Sequence, residues 1–73
     1  MAKAIYERLM SHKNEERFTT APTPYYGFLA ICDFVLHYTA PYSEADKDYL
    51  KYWAEIFRND DSELAGMLTQ LAS

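Results

Sequence analysis

Apolar residues at Ala2, Ile5, Tyr6, Leu9 and Met10 recur at helical spacing, with Lys3, Glu7 and Arg8 largely on the other side. That pattern predicts a short amphipathic helix from Ala2 to His12, or an arm that orders on a partner, since about ten residues make a marginal helix without docking. The following "SHKNEERFTTAPTP" is polar, ends in threonines and prolines, and reads as a connector in which only Asn14 to Arg17 favour helix. Phe18 is its one large apolar residue and reads as a core plug, with an exposed anchor as the alternative.

Thr23-Pro24 then opens the most apolar stretch, "PYYGFLAICDFVLHY". Threonine can cap a helix and proline suits the first helical position, because the N–H it lacks has no intrahelical partner there. Ala40-Pro41 closes the stretch, as the residue before proline is pushed out of helical geometry. On a helical wheel Tyr26, Ala30, Asp33 and His37 form one stripe, opposite Phe28, Leu29, Ile31, Cys32, Val35 and Leu36. Asp33 thus marks the wetter edge of an otherwise enclosed helix.

"SEAD" places a cap acceptor at Ser43 and acids at Glu44 and Asp46 by the positive helix end. A broad apolar face follows: Ala45, Tyr49, Leu50, Tyr52, Trp53, Ile56 and Phe57. "RNDDSE" breaks that helix. Asp60 or Asp61 caps a last one, Asp60-x-x-Glu63 resembling a capping box, with Leu64, Met67, Leu68 and Leu71 as its seam. The pattern predicts an all-α fold: a small bundle of three main helices over 24–39, 43–58 and 61–71, with an N-terminal helix or flexible arm. Two segments are expected, a basic helix or arm at 1–20 and a helical core domain at 21–73.

Composition changes this picture in one respect. A chain of 73 residues lies near the lower limit for unaided folding, and one cysteine permits no disulfide. Four Phe, seven Tyr and one Trp compensate, each large ring burying roughly 150–250 Å². No cofactor is implied, and one Cys with two His cannot fill a structural zinc site. The longest apolar run falls short of the roughly 20 residues of a membrane span and no secretory signal is visible, so a soluble cytoplasmic protein is expected.

The net charge of −4 is unevenly spread: residues 1–20 sum to +1, residues 21–42 to −1 and residues 43–73 to −4. An acidic body repels phosphate backbones, which argues against independent duplex DNA binding. The basic front leaves room for a local contact with nucleic acid or an acidic protein. Lys3, Tyr6, Arg8, Leu9, Met10, His12, Lys13 and Arg17 are the candidate partner-binding residues, a mixed basic and apolar set. No catalytic constellation is present. Asp33 and His37 are neighbours four apart and are expected to form a local ion pair or hydrogen bond. Cys32 lies on the apolar side with no base pattern to activate it.

The chain length, the basic "KAIYERLMSHK" front and the acidic "NDDSELAGMLTQLAS" end resemble the tiny host-takeover proteins of bacteriophages. Among these, the layout is similar to the short Xanthomonas-phage type of regulator that acts on host RNA polymerase. The resemblance implies a non-enzymatic protein that binds bacterial RNA polymerase and modulates transcription, inhibiting initiation or suppressing termination. The front segment would then be the polymerase contact, near exiting RNA. Two alternatives stand beside it: a phage inhibitor of a bacterial defence complex such as CRISPR, and a small DNA-binding or antitoxin-like helical protein.

Overall fold

Ile5 and Leu9, one turn apart, are fully buried, and they turn the front of the chain from a candidate arm into a docked helix. The structure, a computed structural model, describes residues 2–19 and 27–73. It contains five helices and no strand among the described residues: α1 (Ala2–Met10), α2 (Glu16–Thr19), α3 (Phe28–His37), α4 (Glu44–Phe57) and α5 (Ser62–Ala72). The chain is all-α.

Contacts divide it into two units, Met1–Tyr38 and Thr39–Ser73. The boundary between the units falls at 38/39, so residues 2–19 share a unit with the central apolar stretch. The reason is the packing of α1 on α3, which ties the front of the chain to the central apolar stretch.

In the first unit, α1 presents Ile5 and Leu9 to α3, which buries Phe28, Ile31, Cys32, Phe34 and Val35. Fully burying one such aliphatic side chain stabilises by about 1.5–3 kcal/mol. That offsets the weakness of a nine-residue helix, which is marginal alone. After Met10 the chain turns through Ser11 to Asn14. Ser11 Oγ donates to the Arg8 carbonyl at 2.6 Å, and the N–H groups of His12 and Lys13 donate to the Leu9 and Met10 carbonyls. The short α2 brings Phe18 against Phe28, with ring centroids 4.6 Å apart, so Phe18 packs on an aromatic of the core.

The central helix is shorter than its pattern suggests. Gly27 is extended (φ −72°, ψ 159°) at the N-cap, so the helix starts at Phe28 and not at residue 24. The expected Thr23-Pro24 cap, with Tyr25 and Tyr26, lies outside the described residues. At the other end Tyr38 is already extended, so the helix stops at His37, before the proline-imposed limit at Ala40. Tyr38 donates its N–H to the Phe34 carbonyl and stacks its ring on Phe34 at 4.4 Å, which closes the last turn.

The second unit is the helix pair α4 and α5. Ser43 accepts from the Asp46 N–H at 3.1 Å, and Asp46 accepts from the Ser43 N–H at 3.3 Å, a complete capping box. Tyr49, Leu50, Trp53, Ala54 and Phe57 are the buried residues of α4, and Leu64, Ala65, Leu68 and Ala72 those of α5. Ala45 and Tyr52, expected on the apolar face, are exposed, and Ala54 takes a buried place. Asp61 caps α5 by accepting from the Leu64 N–H at 3.2 Å, while Asp60 is exposed. Of the two expected caps, Asp61 is the one in place. Asp61 is only 6% exposed, and its own N–H donates to the Phe57 carbonyl at 2.8 Å, so one residue ends α4 and starts α5.

Candidate functional site: an open groove between two helices

Leu29 is 74% exposed and Leu36 is 45% exposed. Both were expected to be buried, and Phe34 was not singled out, yet Phe34 is inside. The wet side of α3 is rotated by roughly half a residue step (about 50° at 100° per residue) from the Asp33 stripe toward the two leucines. Leu29, Asp33, Leu36 and His37 form the exposed side. α1 docks on the buried arc of α3, and the two leucines lie outside that arc.

That arc opens onto a groove of about 470 Å³ within the first unit, lined by Tyr6 and Met10 of α1 and by Leu29, Ala30, Cys32, Asp33 and Leu36 of α3. The lining is apolar except for the Tyr6 hydroxyl, the Cys32 thiol and the Asp33 carboxylate. Asp33 Oδ1 lies 3.2 Å from His37 Nε2, the local pair expected from their spacing, and both side chains are largely exposed. Cys32 Sγ lies 3.9 Å from Met10 Sδ, and burial pushes the thiol pKa up to about 11. A thiol held neutral in this way is a packing group and a poor nucleophile.

The sequence-derived partner residues fall into three groups. Tyr6 and Met10 are half-buried on the groove wall. Leu9 is part of the core and presents no surface. Lys3, Arg8, Lys13 and Arg17 are exposed, and His12 is half-buried in the turn after α1. His12 Nδ1 pairs closely with Glu15 Oε2, and Arg17 Nε donates to Glu15 Oε1 at 2.9 Å. The His12 hydrogen bond, more than any other contact, holds the Glu15 carboxyl below its usual range. Arg17 also lies over the Phe18 ring, 4.6 Å from its centroid. Arg17 and His12 therefore serve the local turn, whereas Tyr6, Met10 and Lys3 share α1 with the groove wall.

Leu29, Leu36 and Asp33 are the groove residues absent from the sequence-derived set. The signal that could have found them is the departure of α3 from a clean amphipathic pattern, with two leucines flanking its only acid. Among the described residues no group of three or more His, Cys, Asp or Glu could hold a metal ion. No helix of the described residues is long and apolar enough to cross a membrane. No protein family, characterised protein or solved structure matches the chain.

Proposed function

We propose that this is a non-enzymatic regulator that binds bacterial RNA polymerase in the host cytoplasm and modulates transcription through the α1–α3 face. The observation that carries the binding reading is the open groove with Leu29 at its edge. An aliphatic side chain left three-quarters exposed beside a concave apolar lining is a feature of interaction sites, since a protein–protein contact gains most from burying such anchors. Lys3 and Lys13, both exposed, add positive charge to the same unit and favour encounter with an acidic protein or with RNA. The choice of polymerase comes from the resemblance in length and charge layout, and the mixed basic and apolar character of α1 supports it.

The test is co-migration of the full-length chain with purified bacterial RNA polymerase in gel filtration, followed by promoter-dependent and terminator read-through transcription. Complex formation with a change in either transcript supports the reading. A chain that never co-migrates and leaves both transcripts unchanged refutes it. Retention of a duplex DNA fragment by the isolated chain at low salt would instead favour a DNA-binding protein.

A further inference from the structure

We draw no further inference here: the strongest candidate, the apolar groove between α1 and α3 with Leu29 and Leu36 exposed along it, belongs to the binding face already described, and nothing in the structure shows what covers it.

Discussion

Met10 of α1 and Cys32 of α3 meet sulfur to sulfur at 3.9 Å across the wall of the groove. The contact joins a residue from the basic front of the chain to the middle of its most apolar stretch. It places α1 as structure first, with its outer and groove-facing residues left for a partner. The same contact predicts how the thiol behaves. A thiol with a pKa near 11 rather than 9 holds about a hundredth of the thiolate at about pH 8, and Cys32 is 4% exposed. Alkylation of the folded chain should be at least about a hundredfold slower than in denaturant, where the thiol is free. Equal rates would contradict the placement of Cys32.

Leu9→Ala tests whether α1 is part of the fold. Leu9 is fully buried, and emptying such a site costs about 2–5 kcal/mol, a large share of the stability of so small a chain. Urea unfolding should show that loss. A change under about 0.5 kcal/mol, typical of an exposed surface site, would make α1 the loose arm that the sequence also allowed. Deletion of residues 1–20 would remove Ile5 and Leu9 together, so point substitutions are the sounder probe of the partner surface.

Gly66 lies exposed within α5 without a left-handed backbone, and a Cβ built there meets nothing within 4 Å. Gly66→Ala should therefore stabilise by about 0.4–1 kcal/mol through reduced freedom of the unfolded chain and better helix propensity. Unfolding by urea reads this directly, and a destabilised variant would contradict the α5 geometry.

How far these features were legible depends on whether the signal was local. The Ser43 cap, the body of α4 and the pairing of Asp33 with His37 are set by residues within four positions, and all were readable from spacing. The apolar arc of α3 was not. In a helix where eight of ten residues are apolar, the pattern does not say which arc meets a neighbour, and only the docking of α1 decides it. Leu29 and Leu36 are exposed against expectation for that reason, and Phe34, which the pattern assigned to neither side, is buried. The sequence left Asp60 and Asp61 both open as the α5 cap because two adjacent aspartates are locally equivalent; the structure uses Asp61, which is buried while Asp60 is exposed. The groove itself joins α1 to α3 across the intervening connector, beyond the reach of any local pattern.

Glu15 links the turn after α1 to pH. Its carboxyl is held below the ordinary range, first by the His12 hydrogen bond and further by the charges of His12 and Arg17. A lowered folded-state pKa gives a contribution present above the unfolded glutamate value and lost as pH falls through the folded one. Carboxyl chemical shifts should place the Glu15 midpoint below the ordinary glutamate value, and His12→Ala should move it back up. An unchanged midpoint in His12→Ala would contradict the pairing.

The most direct test of the binding face is the affinity of the full-length chain for purified bacterial RNA polymerase, compared between Leu29→Asp and Tyr52→Asp. Both residues are exposed, Leu29 at the groove and Tyr52 on α4, so both variants should fold. The predicted result is a loss of at least about tenfold for Leu29→Asp, as for an interface anchor, with Tyr52→Asp unchanged. Equal affinity for wild type and Leu29→Asp would contradict the α1–α3 face as the site of binding.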